Sequence, residues 1–215
     1  MKYGLGYTLI LRITGFLSTT FGVRRTEFKY MLDLLRNEKR KKILDYGCDS
    51  GYLTYRIKDI APKNNVCGAD INESALNYAR KKYPHINFYK SDDKYLKDNK
   101  FDIIVISHVL EHIKERDKFM KNVSKLLSAK GKIIVAIPQE RIRGDTSIPT
   151  LLYNLVRLKF ENPHVAKLDY RYLKETFNKI GFKINDKMYT NCFPPFKSKT
   201  RKFYSWSLIV SASKN

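Results

Sequence analysis

KKILDYGCDSGYLTYRI, Lys41 to Ile57, sets a short apolar run against a tight turn containing Gly47 and Gly51, followed by a segment of helical periodicity. A strand that enters a glycine turn and leaves it as a helix opens a sheet whose strand ends hold a ligand. The pattern continues downstream. Strands are predicted at Lys42–Tyr46, Asn65–Asp70, Ile86–Tyr89, Phe101–Ser107 and Gly131–Ile137, with helices over Gly51–Ile60, Glu73–Lys82 and Glu115–Leu127. The fourth strand, FDIIVIS, is nearly continuously apolar, as a strand covered on both faces must be. This alternation over about a hundred residues predicts an α/β fold with a mostly parallel sheet and helices on both faces.

The rhythm breaks after Pro138. Residues 139–168 are too long for an ordinary connection and carry Ile148, Leu151, Leu152, Leu155, Val156 and Leu158 in an amphipathic pattern, so an inserted helical lid is expected there. A helix over Tyr170–Ile180, closed by Gly181, comes next. Phe182–Tyr189 and Phe203–Ala212 read as an antiparallel pair around Pro194 and Pro195, which makes seven strands with an antiparallel last one. Ahead of the sheet, Leu5, Leu9, Ile10, Ile13, Phe16, Leu17 and Phe21 share one broad side of a helix, and Arg24, Arg25 and Lys29 follow. Arg12 and the Thr and Gly residues make this a poor spanning segment, and it lacks a signal-peptide cleavage pattern. A helix at the interface of an anionic membrane and a helix packed over the domain are both open readings. A second helix, Glu27–Glu38, places Phe28, Met31, Leu32 and Leu35 on one side. The expected organisation is an N-terminal helical extension, residues 1–40, and one domain, residues 41–215, carrying the insertion 139–168.

Composition narrows the class. With 215 residues and 43% hydrophobic content the chain can bury a substantial core. Cys48, Cys67 and Cys192 are odd in number and lack metal-ligand spacing, which argues against a disulfide scaffold and against a metal site, and fits a cytoplasmic protein. The formal charge of +21 draws the protein toward anionic partners, either nucleic acid or an anionic membrane surface.

The strand ends form a crevice lined by Asp45 to Gly51 (with Cys48 and Asp49 in the turn), Asp70, Ile71, Asp92 and Ser107 to Glu111. Asp70 ends the second strand about twenty residues after the glycine turn, where a carboxylate can accept both ribose hydroxyls. Asp92 is placed to accept an adenine amino hydrogen, and Asp93 is an equal candidate. The cofactor follows from charge. A dinucleotide needs glycine where this chain has Asp49 and Tyr52, because pyrophosphate lies on bare backbone, and Asp49 would instead put a negative charge beside two phosphates. No Lys-Ser or Lys-Thr pair follows the loop, so a triphosphate site also fails. Ribose and adenine without phosphate, joined to an ammonium and a sulfonium, suit these carboxylates; S-adenosylmethionine has that description.

With ILDYGCDSGYL, VCGADIN, SDDKYLKDNKFDIIVISHVLEHI, GKIIVAIP and HVAKLDYRYLKETFNKIGFKI in this order, the chain resembles the class I S-adenosylmethionine-dependent methyltransferases, and most nearly their ubiquinone-biosynthesis-like small-molecule branch. The resemblance spans about Lys41 to Asn185. It implies a Rossmann-like sheet. It assigns Asp45, Gly47 and Gly51 to the methionine end of the cofactor, Asp70 to the ribose, Asp92 to the adenine, and Ser107 and His108 to the floor. Asp49 departs from the usual glycine, although aspartate tolerates a left-handed backbone better than most residues. Where the acceptor must lose a proton, His108, His112 and His164 are the catalytic candidates. The SHVLEH segment lacks the Asn-Pro-Pro-Tyr or Asp-Pro-Pro-Tyr signature of adenine and glutamine amino methylation. The expected acceptor is a small, hydrophobic or lipid-like molecule, with oxygen as the preferred acceptor atom. Alternatives are RNA held by the basic surface, and a non-catalytic scaffold binding S-adenosylmethionine or a partner. The apolar and aromatic segments fit a homodimer equally well.

Overall fold

The computed structural model describes residues 23–139, 165–191 and 196–214. The predicted leading helix, the helix within the insertion, His164 and Cys192 lie outside these residues. The elements in chain order are α1 (Val23–Asp33), β1 (Lys42–Tyr46), α2 (Tyr52–Ile60), β2 (Asn65–Asp70), α3 (Glu73–Lys82), β3 (Asn87–Lys90), α4 (Lys94–Asp98), β4 (Phe101–Ser107), a short 3-10 turn (Leu110–His112), α5 (Arg116–Lys125), β5 (Leu127–Pro138), α6 (Tyr170–Lys179), β6 (Phe182–Asn191), β7 (Phe196–Ser198) and β8 (Ser205–Lys214).

The strands form one sheet in the order β3-β2-β1-β4-β5-β8-β6-β7. β1 to β5 pair in parallel. β8 enters antiparallel between β5 and β6. The sheet therefore has eight strands rather than the seven expected. The extra one, β7, is a three-residue edge strand paired with the end of β6, too short to show a period in the sequence.

Alternation along each strand sorts side chains to two faces. Ile43, Ile103, Val105, Ile134, Ala136 and Ile209 pack with Tyr30, Met31 and Leu35 near α1 and Leu53 and Ile57 of α2. Their neighbours Leu44, Ile104, Ile106, Ile133, Val135, Leu208 and Val210 pack with Leu96 of α4, Met120 and Val123 of α5, and Leu173 and Phe177 of α6. α3 closes the β3 end through Leu76 and Ala79, which pack with Cys48, Tyr83 and Phe88. Residues 23–35 thus share the core of the domain that the sequence places from residue 41. Among the described residues no helix is long and apolar enough to cross a membrane.

The register brings the parallel strands to a common edge. Tyr46 pairs with Ala69, Asp70 with Lys90 and Ser107 with Ala136. Because β8 runs the other way, its start also lies there, with Ser207 opposite Pro138.

Candidate active site

The turn after β1 is held by its own backbone. The amides of Gly47 and Cys48 both donate to Ala69 O, at 2.7 and 3.0 Å, and Gly51 N donates to Cys48 O at 2.9 Å. Gly47 has φ +86, and a Cβ there would lie 2.2 Å from Val109 Cγ2, so the loop after β4 can approach the turn only over bare backbone. Asp49 adopts φ +46. The turn therefore forms with aspartate in the left-handed region. Its amide donates to Asp70 Oδ2 at 2.8 Å, while Asn72 N donates to Asp70 Oδ1 at 2.8 Å. A carboxylate offers about four lone-pair positions, so Asp70 keeps capacity for two further donors.

Asp45 is buried and accepts the Thr54 hydroxyl of α2 at 2.7 Å. Burial pushes its pKa up; the Thr54 hydrogen bond opposes this, the charge of Asp70 adds to it, and the result is about 7. An ammonium group brought to this carboxylate would reverse the shift.

The structure separates several of the expected residues. Cys48 lines the turn only with backbone: its side chain packs in the core with Leu76, Ala79 and Phe88, and burial raises its thiol pKa. Asp93 caps α4 by accepting Tyr95 N at 2.8 Å. Asp92 is exposed and has a loose 4.0 Å contact with Lys90, so of the two carboxylates it is the less committed. Ile71 stands 79% exposed beside Asp70 and offers an apolar side chain at the rim. Ser107 is half-buried at the end of β4.

His108 follows with a left-handed backbone, φ +55. Its Nε2 lies 3.0 and 3.1 Å from the two carboxylate oxygens of Glu27 on α1. Its Nδ1 lies 3.3 Å from Glu111 Oε1. That second contact is ionic rather than a directed hydrogen bond, and both Glu111 oxygens lack a hydrogen-bond donor among the described residues. Burial alone lowers the imidazole pKa, but the neighbouring carboxylates of Glu27 and Glu111 outweigh it and raise it to about 10. The carboxyl groups also feel burial most strongly, upward, yet His108 draws both of them below their ordinary value. The two carboxylates thus favour the charged form of His108. Both ring nitrogens of His108 therefore face carboxylate oxygens. His112 is exposed at the end of the 3-10 turn. Val165 N, near the end of the 139–168 insertion, donates to Glu111 O at 2.7 Å.

Glu27, Thr54 and Ser207 belong to this site but do not stand out in the sequence pattern. Glu27 is fully buried, and the Ser207 hydroxyl also holds it. Its spacing to Met31 and Leu35 puts a carboxylate on the buried stripe of the first helix, a signal that the chain does carry. Beyond His108, Gln139 Oε1 and Trp206 Nε1 are buried without hydrogen-bond partners among the described residues.

A cofactor with ribose hydroxyls and a cationic end fits these acceptors, since Asp45 is a buried carboxyl group and Asp70 retains acceptor capacity. Among the described residues no cluster is suited to a metal ion.

Comparison with known proteins follows the same lines. Residues 23–187 match the methyltransferase domain family. The demethylmenaquinone methyltransferase of Lactobacillus johnsonii is 31% identical over 157 residues, covering 64% of this chain and 60% of that protein. The ubiquinone/menaquinone biosynthesis C-methyltransferase of Pasteurella multocida is 27% identical over 125 residues, covering 54% of this chain and 47% of that protein. The chain therefore spans 47% to 60% of the length of such curated relatives. A crystal structure of an S-adenosylmethionine-dependent methyltransferase from Aquifex aeolicus superposes with a TM-score of 0.67 at 15% identity, covering 100% of both chains. With the match starting at α1 and running through β6, the chain belongs to the methyltransferase domain family and has the class I S-adenosylmethionine-dependent fold.

Proposed function

We propose that the protein transfers a methyl group from S-adenosylmethionine to a small hydrophobic acceptor of quinone type. The observation that carries the reading is the glycine turn laid against Asp70 with Asp45 buried behind it: an acidic crevice without the bare backbone that phosphate requires. The names of the Lactobacillus and Pasteurella relatives support the acceptor class.

When bound, S-adenosylmethionine supplies a methyl group on a sulfonium, which leaves as its bonding electrons return to sulfur. Asp45 would hold the ammonium, Asp70 would accept the ribose hydroxyls, Asp92 would accept the adenine amino group, and Ile71 would offer an apolar contact at the rim. Asp49 and Ser107 line the walls. Glu27 and Glu111 fix His108 at the end of β4. Alignment then supplies much of the acceleration. Where the acceptor must lose a proton, His108, His112 and His164 are the candidates, and single His→Asn variants separate them by their loss of kcat at neutral pH. Oxygen is the acceptor atom that we assign first; ring carbon is the second reading, favoured by the name of the Pasteurella relative, a C-methyltransferase.

Calorimetry with S-adenosylhomocysteine and with NAD tests the cofactor: heat is expected from the first only. Asp70→Ala is expected to weaken binding by ~10- to 100-fold, the loss of hydrogen bonds to a charged group. Incubation with a short-chain demethylated naphthoquinol, followed by mass spectrometry and NMR of the product, identifies the acceptor atom. Absence of S-adenosylhomocysteine binding would overturn the proposal.

A further inference from the structure

The connection from β7 to β8 carries an aromatic pair, Phe203 and Tyr204, at an exposed turn. Phe203 and Tyr204 are the two central residues of a turn closed by Ser205 N donating to Lys202 O at 3.1 Å and by Lys202 N donating to Ser205 Oγ at 2.8 Å. Such positions ordinarily take Gly, Asn, Asp or Pro for conformational reasons. Here Phe203 is 82% exposed, the most exposed large apolar side chain among the described residues. Tyr204 rests edge-on against Phe196, 6.0 Å between ring centres, so the pair has a built base. Hydrogen bonds between Lys202 and Ser205 close the turn on both sides of the pair.

Charge surrounds it. Residues 197–204, KSKTRKFY, hold Lys197, Lys199, Arg201 and Lys202 and no acid. Lys197 and Lys199 reach back to Asp33 and Asp186. Arg201 and Lys202 stand exposed next to Phe203. An apolar tip set among cations matches the layering of an anionic bilayer, with acyl chains beneath negative headgroups.

The position of the turn gives this a direction. Ser205 opens β8 opposite Asn191, and Ser207 pairs with Pro138, so the turn stands at the sheet edge where β4 and β5 end beside His108 and Gln139. α1 begins at that edge too, because Glu27, in its first half, meets His108 and Ser207. Residues 5–21, which precede it in the chain, are rich in apolar residues, and Arg24 and Arg25 follow directly.

We propose that the β7–β8 turn is a membrane-docking element that seats Phe203 in an anionic lipid surface and turns the catalytic edge of the sheet toward the bilayer. The proposal extends the hydrophobic-acceptor reading by naming the surface from which such an acceptor is taken. Docking itself needs neither cofactor nor turnover, so the two can fail separately.

The test is flotation of the full chain with vesicles of phosphatidylcholine alone and of phosphatidylcholine with 30 mol% phosphatidylglycerol, in about 0.1 M salt, where screening over ~10 Å leaves headgroup contacts in place. At least tenfold stronger partitioning onto the anionic vesicles is expected. Phe203→Asp should lower it at least tenfold, Phe203→Ser several-fold, and Arg201→Gln with Lys202→Gln several-fold. All three should leave the circular dichroism spectrum and S-adenosylhomocysteine affinity unchanged. Wild-type protein that ignores anionic vesicles, or a Phe203→Asp protein that floats as well as wild type, overturns the proposal. So does Phe203→Asp abolishing retention of single-stranded RNA while vesicle binding persists, which would make the turn a base-stacking element. If vesicle binding follows the prediction but S-adenosylhomocysteine does not bind, the docking element stands and the methyltransferase reading falls.

Discussion

At the scale of the residue, His108 is governed by its two carboxylates. Its folded pKa of about 10 lies above the 6.5 of the free side chain. The stabilisation it provides is therefore complete below about pH 6.5 and is lost as pH rises through about 10. Unfolding in urea should show stability falling between pH 7 and 10. Glu27→Gln should flatten that fall and bring the His108 imidazole back toward neutrality in NMR titration; a resonance still titrating near pH 10 would show that Glu27 does not hold the charge. His108→Ala leaves two buried carboxylates uncompensated, a defect that typically costs ~3–5 kcal/mol. Asp45 makes a separate prediction. Its pKa of about 7 means that the native protein binds more protons than the unfolded chain from about pH 4 to 7, so stability falls with rising pH in that window as well. An ammonium at this carboxylate requires the ionised form. S-adenosylhomocysteine affinity should thus fall ~5-fold from pH 7 to 6 and approach ~10-fold per pH unit below that, with proton release on binding detected by calorimetry in buffers of different ionisation enthalpy. Equal heats in all buffers would remove Asp45 from the ammonium site.

At the scale of the element, two glycines of similar backbone conformation separate strain from contact. Gly181 closes α6 at φ +75, and an added Cβ there meets nothing within 4 Å; at Gly47, φ +86, it meets Val109 at 2.2 Å. Gly181→Ala should cost only the left-handed penalty, ~1–2 kcal/mol. Gly47→Ala should cost more in stability and should also lose cofactor affinity, with Val109→Ala recovering part of the stability in a double-mutant cycle. Equal costs at the two positions would mean that the β4 loop yields freely. The same comparison shows what the sequence makes visible. Periodicity places β1, β2, β4 and α3 at their observed bounds because long apolar runs and a proline signal act locally. It misses α4, whose five residues cover little more than one helical turn, although Asp93 is its cap. The glycine turn and Asp70 are legible because their chemistry is local to the ends of β1 and β2. The Glu27–His108 pair is not, because 81 residues separate partners that only the packing of α1 brings together. A carboxylate on the apolar stripe of α1 marks Glu27 as buried, but nothing in the pattern names its partner.

At the scale of the whole molecule, the excess of 21 cations over acids in 215 residues sets a repulsion that no local arrangement removes. Even if every acid took one cation, 21 would remain. Several of the acids are not available for this in any case: Glu27 and Glu111 are buried against His108, and Asp45 is half-protonated near pH 7. Exposed pairs such as Lys118–Glu115 and Lys179–Asp117 contribute little, ~0–1 kcal/mol each. Salt acts on these terms with opposite signs. It screens the repulsion, which spans ~30 Å at 0.01 M and ~3 Å at 1 M, and it also weakens the exposed pairs, while the buried trio is largely shielded from it. Because unpaired cations outweigh exposed pairs, the melting temperature should rise between 10 and 300 mM sodium chloride. Each kcal/mol gained is worth ~2–4 °C for a chain of this size. A falling melting temperature would show that surface pairs carry more of the stability than their exposure implies. Sodium sulfate matched in ionic strength provides the remaining distinction: an equal rise indicates screening, whereas a larger rise indicates anions bound at the basic surface or the salting-out effect of sulfate, which mutation of Arg201 and Lys202 would separate by removing only the first.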